Sequence, residues 1–307
     1  MKKNRARATA PFNKRENDLR WKFPSDEWFS DVEAAYNLDR LVGWIQNFHV
    51  NLKTIGFDTR VTDLPEIKGS ALVIDKSMAS TKYYAQIESL SKYKGTMIVC
   101  DRALYSILPY DVVNQAENIY VCNLDSSPLC MSFFDRPDVK AIMDKITAVF
   151  AVTTNPLTIR HWHGKRVFFT PYMGSLGITK GLMLQSQMPY MGTGGQVASF
   201  AWLLAYNLGA KNIGVFGVTN SYDDMSETEY PDVPHKRKKG PYGTCWQDPV
   251  YSFYNRTFLQ FIRDGAEQGV TTINTMKAGL LYDDHVKDMS LEEFADAFTN
   301  EEAKVNE

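Results

Sequence analysis

The sequence predicts an α/β fold, a doubly wound and mainly parallel sheet with a helical appendage ahead of it. Three observations carry this. Short apolar runs alternate with helical patterns from residue 71 to residue 274. The runs lack the polar alternation of a one-sided sheet, so they read as strands buried on both faces, which is the mark of parallel strands covered by helices. Finally, the glycine-rich stretch Gly192-Thr193-Gly194-Gly195-Gln196 feeds straight into the nearly all-apolar run from Val197 to Leu208, a buried helix by composition.

Size and composition fit that class. The 307 residues are 44% hydrophobic and 13% aromatic, enough for one large domain with an appendage. A net charge of −2 argues against bulk binding to nucleic acid or to anionic membrane. No apolar run approaches the roughly 20 residues of a membrane span. The basic start (Lys2 to Arg7) is followed by no apolar core, so no secretory signal is expected. Cys100, Cys122, Cys130 and Cys245 show neither a C-x-x-C pair nor zinc spacing, and buried free thiols in a reducing cytoplasm are expected.

In order, residues 1–68 are an arm and helical appendage, 69–285 the sheet domain, and 286–307 a closing acidic helix and tail. In the first segment Phe29, Val32, Ala35, Leu38, Leu41, Val42, Ile45 and Phe48 recur at helical spacing. Pro65 and Gly69 mark the boundary. Strands are predicted at 71–74, 96–100, 119–124, 148–152, 167–169, 212–216 and 270–274, with an antiparallel edge strand possible near the C-terminus. Helices are predicted through Tyr93, over 102–108, 139–146, 197–208 and 250–268. The polar stretch from Thr219 to Asp248, with the basic run His235 to Lys239, reads as a solvated loop whose cations offset a phosphate donor if it acts as a lid.

Function is expected where the strands end, because a parallel sheet presents all its carboxyl ends on one edge and ligands bind there near a switch in strand order. The first predicted strand ends in Asp75-Lys76-Ser77, the second in Asp101, the third in Asn123-Leu124-Asp125-Ser126. The sixth ends in Gly217-Val218-Thr219 and the last in Asn274. An Asp at one strand end is commonly only a cap or turn former. Three on one edge suit Mg²⁺, which bridges one or two carboxylates and substrate phosphates, so Asp101 and Asp125 are the candidate ligands. Gly194 and Gly195, at a helix N-terminus with Thr193 and Gln196, form a candidate anion cradle. The pair His161 and His163 lacks a third clear ligand and reads as structural.

These residues carry a resemblance. Ala71 to Asp75, Gly95 to Leu104, Asn123 to Ser126, Gly194 to Ile213 and Thr271 to Gly279 resemble, in order, the blocks of the 6-hydroxymethylpterin pyrophosphokinases (MptE-like proteins). That family also holds motility-associated accessory proteins proposed to be glycosyltransferases. The resemblance spans about Lys68 to Phe298. It implies a Rossmann-like sheet and Mg²⁺-dependent diphosphate transfer from a nucleoside triphosphate to a small hydroxylated, pterin-like acceptor. Asp101 and Asp125 would be catalytic. Asp75, Ser77, Asn123, Ser126, Thr193, Gly194, Gly195, Gln196, Thr219 and Asn274 would bind the substrates. The family's Gly-x-Gly-Pro-Ser loop is replaced here by Asp75 to Ala79, and its acidic residue after Gly217 is absent. Two other readings therefore stand beside the first: a glycosyltransferase using a nucleotide sugar, and a catalytically inactive binding module.

Overall fold

A computed structural model describes residues 40–56, 59–172, 176–228 and 233–299. The predicted arm and the helical pattern before residue 40 lie outside the described residues, as does the tail after residue 299. Within them the chain begins in a helix, α1, over residues 40–51.

Nine parallel strands follow in one sheet, in the order β11-β10-β7-β1-β2-β3-β4-β5-β6. They are β1 (Ser70–Ile74), β2 (Thr96–Cys100), β3 (Ile119–Asn123), β4 (Thr147–Ala151), β5 (Arg166–Pro171), β6 (Tyr190–Met191), β7 (Asn212–Phe216), β10 (Thr271–Asn274) and β11 (Val286–Asp288). Strands β1, β2 and β3 are buried at every position. Their alternating side chains feed two separate cores. Leu72, Ile74, Met97, Val99 and Val121 face one, while Ala71, Val73, Ile98, Cys100 and Cys122 face the other. Covering both faces is what the uninterrupted apolar runs require.

The chain winds outward from β1 to β6, then returns through α5 (Val197–Asn207) to β7 on the far side of β1. That return crosses the face opposite to the earlier connections. Phe200 of α5 stacks on Phe169 of β5 at 4.2 Å, and Trp202 donates from Nε1 to Thr272 Oγ1 at 3.1 Å. The other helices used below are α2 (Asp101–Ile107), α3 (Pro156–His161), α4 (Leu176–Ser186), α6 (Pro249–Glu267) and α7 (Leu291–Thr299).

The doubly wound parallel sheet is as the sequence predicts, and several details differ. The helix expected over 139–146 is instead a short helix at Pro137–Lys140 and a 3-10 turn at Met143–Lys145. The edge strand β11 pairs parallel to β10, not antiparallel. The short edge strand β6 was not predicted; two residues carry too little pattern. The segment Met78–Lys92 is a 3-10 helix. The basic run is not a bare loop: β8 (Lys236–Gly240) pairs antiparallel with β9 (Gly243–Gln247). Four consecutive cations hid this hairpin, since a strand at a free edge needs no apolar residues, and lysines there oppose edge-to-edge association. All four cysteines are buried free thiols, as expected. No described helix is long and apolar enough to cross a membrane.

Candidate functional site

The strand order reverses between β1 and β7, so the default crevice lies above Asp75 and Gly217. The structure closes that crevice with hydrogen bonds. Asp75 N–H donates to Phe216 O at 2.8 Å, and Ser77 N–H donates to Gly217 O at 3.2 Å. Thr219 Oγ1 donates to Ser77 Oγ at 2.8 Å, and both residues are buried. Gly217 has φ +87°, and a Cβ there would lie 1.7 Å from the Asp75 carbonyl oxygen. Two strand-end loops thus run in backbone contact with each other. Ser77 and Thr219 are placed on the expected edge but are engaged with each other.

The open part of the edge lies over β2 and β3. Asp101 begins α2 directly after β2, 7% exposed. Its Oδ1 accepts from Arg102 N–H at 2.6 Å and its Oδ2 from Asn123 Nδ2 at 2.5 Å. Burial, aided by the Asp125 and Asp75 charges and opposed by those two donors, pushes its carboxyl up to about 7. Asp125 is different. Its Oδ1 accepts from Ser127 N–H at 2.8 Å, and its side chain stays 34% exposed. Burial raises the nearby Cys130 thiol, with the Asp101 and Asp125 charges adding to the rise, so Cys130 stays a neutral neighbour. Ser126 lends its carbonyl to Asn155 Nδ2 at 3.0 Å and to Asn47 Nδ2 at 3.2 Å.

Asp75, Asp101, Asn123, Asp125 and Ser126 therefore come together. Asn274 does not. It sits four strands from β3, about 19 Å away at normal strand spacing. There it is a turn former: its Oδ1 accepts from Met276 N–H at 3.1 Å and its Nδ2 donates to Leu281 O at 3.1 Å. The glycine loop is on the carboxyl side of β6, but it packs against the α5–α6 layer. Gly194 (φ +63°) and Gly195 (φ +85°) face Phe261 and Tyr254 so closely that a Cβ at either would meet a ring at 2.8 Å. Thr193 O accepts from Ser199 Oγ at 2.5 Å. Packing explains both glycines. The one open feature is Gln196, whose enclosed Nε2 has no partner among the described residues.

Several residues at the edge were missed. Lys76 Nζ donates to Ser106 Oγ at 2.7 Å and to Tyr105 Oη at 3.2 Å, 4.5 Å over the Tyr105 ring. Arg102 donates from Nε and Nη2 to the Lys76 carbonyl at 3.0 and 2.7 Å. Both directly follow a strand-end Asp, so the rule that found the carboxylates would have found them. Arg40, Asn47 and Asn51 of α1 had no such signal. Asn51 Nδ2 donates to Val152 O and Thr154 O at 3.0 and 2.7 Å, and Asn47 Nδ2 also reaches Thr153 O at 3.2 Å. These carboxamides bind α1 to the carboxyl end of β4. Arg40 Nη1 then lies 3.9 Å from Asp125 Oδ1.

Mg²⁺ can be tested against this donor set. Asp101 is enclosed and has both oxygens engaged, so it fits a supporting position better than a direct ligand. Asp125 offers an accessible carboxylate. Among the described residues no three His, Cys, Asp or Glu side chains form a cage, which is compatible with an ion held by one carboxylate and by substrate phosphates. His161 does structural work: its Nδ1 meets Leu157 O at 2.8 Å within α3.

Residues 82–224, just under half of the chain, match the family model described as 6-hydroxymethylpterin diphosphokinase MptE-like. The match includes Asp101, Asp125 and the glycine loop. It is narrower than the span from 68 to 298, leaving out Asp75, Ser77 and Asn274. No curated protein matches the sequence. A solved structure of a MAf glycosyltransferase from Magnetospirillum magneticum AMB-1 superposes with a TM-score of 0.58 at 12% identity, over 90% of this chain and 45% of that one. Such identity speaks for the fold alone, and this chain spans under half the length of that relative. Over residues 82–224 the chain carries the MptE-like resemblance that its strand-end blocks imply, on a fold shared with a MAf glycosyltransferase.

Proposed function

We propose that the protein is a transferase that moves a group from a nucleotide donor to a small hydroxylated acceptor at the carboxyl edge of β2 and β3. The observation that carries this reading is the contrast between two carboxylates 24 residues apart in the chain: Asp101 enclosed and hydrogen-bonded, Asp125 one-third exposed at the same edge. One supports the site and the other faces the reactants.

In the first form of the reaction the acceptor hydroxyl oxygen bonds to the β-phosphorus of a nucleoside triphosphate. The bond from that phosphorus to the oxygen bridging to the α-phosphate breaks, and nucleoside monophosphate leaves with the bridging oxygen. The hydroxyl proton passes to the Asp125 carboxylate. Asn123 and Ser126 hold the loop that presents Asp125. Mg²⁺, held by Asp125 and the phosphates, would supply charge neutralisation. The match of residues 82–224 to the MptE-like model favours this form.

A second form is favoured by the first strand end. Asp75-Lys76-Ser77 is sealed against Gly217 and has no glycine cradle for a triphosphate. A nucleotide sugar carries fewer phosphates: the acceptor oxygen then bonds to the anomeric carbon while the sugar–phosphate bond breaks. Thermal shift separates the two, because at a given concentration a ligand that binds the folded state more tightly stabilises it more. Stabilisation by ATP with Mg²⁺ and release of AMP support diphosphate transfer. A response to CMP- or UDP-sugars with none to ATP supports sugar transfer. No stabilisation by either class overturns the transferase reading in favour of a binding module.

A further inference from the structure

The outer edge of β5 is covered by two short segments in turn. Phe168 N–H donates to Thr59 O at 2.6 Å, and Arg60 bridges Phe168 in parallel register. Further along, Thr170 N–H donates to Pro189 O at 2.8 Å, where β6 takes over the pairing. The first segment leaves the sheet at Arg60 into the 3-10 turn Val61–Asp63, and the second arrives from the end of α4. A cleft of about 490 Å³ opens at this handover, lined by Arg60 of the first segment and by Met183, Leu184, Gln187, Met188 and Pro189 of the second. Its volume lies within the roughly 300–1,000 Å³ of small-molecule pockets. β5 stands two strands from β3, so the cleft is separate from the carboxyl edge of β2 and β3.

Two kinds of chemistry meet in this cleft. Met183, Leu184, Met188 and Pro189 are apolar. Met188 is fully buried while Leu184 is 73% exposed, so the apolar wall runs from the core out to the rim. Methionines are unbranched and adapt to the shape of what they pack against. Gln187 closes α4 with φ 58°, a left-handed position where glycine or asparagine is usual. Arg60 is the contrast. Its Nε is enclosed and meets no acceptor among the described residues. Asp63, one turn on, accepts at Oδ2 from the Arg60 backbone N–H at 3.1 Å, and no ion pair engages the Arg60 guanidinium among the described residues. An unpaired cation against an apolar wall is costly for the fold alone. It is complementary to a ligand with an anionic head and an apolar tail, because a guanidinium fork matches the oxygens of a carboxylate or a phosphate.

We propose that the cleft at the β5–β6 edge binds an anionic amphiphile, an alkyl or acyl chain ending in a carboxylate or a phosphate monoester, with Arg60 on the head and Met183, Leu184 and Met188 along the chain. Affinity comes from apolar surface taken out of water, and selectivity for charge from the guanidinium. A neutral chain of equal length has only the first contribution, and inorganic phosphate only the second. The assignment does not depend on the transferase reading, since none of its residues belongs to that site.

The test is titration calorimetry of the full chain with decanoate, decyl phosphate, decanol and inorganic phosphate, below micelle-forming concentrations, on wild type, Arg60→Gln and Leu184→Asp, with melting recorded for each. Wild type is expected to bind decanoate or decyl phosphate at a single site, about ten-fold or more tighter than decanol, and to bind inorganic phosphate weakly. The tighter of the two charged probes tells a carboxylate head from a phosphate head. Arg60→Gln should bring the charged probes down to the level of decanol and leave decanol unchanged. Leu184→Asp, which puts a carboxylate on the exposed rim, should weaken both charged probes by repulsion. If wild type binds no probe, or prefers decanoate and decyl phosphate no more than decanol, the proposal is overturned. Uptake at many weak sites that neither variant alters also overturns it. If Arg60→Gln melts early, Leu184→Asp decides, since an exposed position on a helix tolerates substitution.

Discussion

Asn123 donates from Nδ2 to Asp101 Oδ2 at 2.5 Å, while its own Oδ1, fully enclosed, meets no partner among the described residues. The carboxamide buried beside the Asp101 carboxyl group is thus incompletely satisfied, at the point where β2 and β3 open onto the edge. An unpaired buried acceptor costs about 1–3 kcal/mol. Its persistence marks this pair as a place where the fold gives up stability.

Asp101 makes the cost depend on pH. Its folded value of about 7 lies above the ordinary 3.8, mainly through burial. Below pH 4 the group is protonated both folded and unfolded, and no cost arises. As pH rises from 4 to 7 the unfolded chain releases this proton while the folded one retains it, so stability falls by up to about 4 kcal/mol across that window. Asp101→Asn is expected to flatten this slope and to melt above wild type at pH 8, since Asn123 can then turn its Oδ1 toward the new amide. Urea titrations of both proteins from pH 4 to pH 8 check it. An unchanged slope in the variant would mean that some other group sets the pH dependence.

Asp125→Asn separates chemistry from turn formation. Asn keeps the acceptor for Ser127 N–H and removes the charge. Turnover is expected to fall on the order of 10²–10³-fold, the usual effect of losing one electrostatic contribution at a reacting centre. Stability should move by less than about 0.5 kcal/mol, as for other exposed positions. Full activity in the variant makes Asp125 a turn residue and nothing more.

Asn51→Ala tests how firmly α1 is held. The side chain is 1% exposed and satisfies the Val152 and Thr154 carbonyls. Removing it should cost about 2–4 kcal/mol, two acceptors being left buried. Chemical denaturation within about 0.5 kcal/mol of wild type would show that α1 contributes little.

Gly217→Ala probes the sealed crevice between β1 and β7. A methyl group 1.7 Å from the Asp75 carbonyl oxygen cannot be accommodated by side-chain movement. The cost should exceed about 4 kcal/mol, and the variant should accumulate as insoluble protein. Gly243→Ala is the control. It shares a positive φ, +124°, but meets nothing within 4 Å, so only backbone strain of about 1–3 kcal/mol applies. Equal solubility of the two variants would show that the strand ends are not in contact.

Strand identity and order of appearance were legible in the chain because burial on both faces writes an uninterrupted apolar run, and β1, β2, β3, β4 and β7 each carry one. The placing of Asp75, Asp101 and Asp125 on one edge followed from parallel pairing alone. Arg40 and Asn51 were not legible: polar residues on a helix give no sign of what they meet until the helix is docked, here onto carbonyls about a hundred residues away. The fate of the glycines was equally hidden. Gly194 and Gly195 read as an open cradle in isolation, and only the arrival of α6 showed their backbone covered by Phe261 and Tyr254. Sequence determines which residues stand at a strand end, since that is local geometry. Which strand ends stay open is decided by what packs across them, and that is a property of the assembled chain.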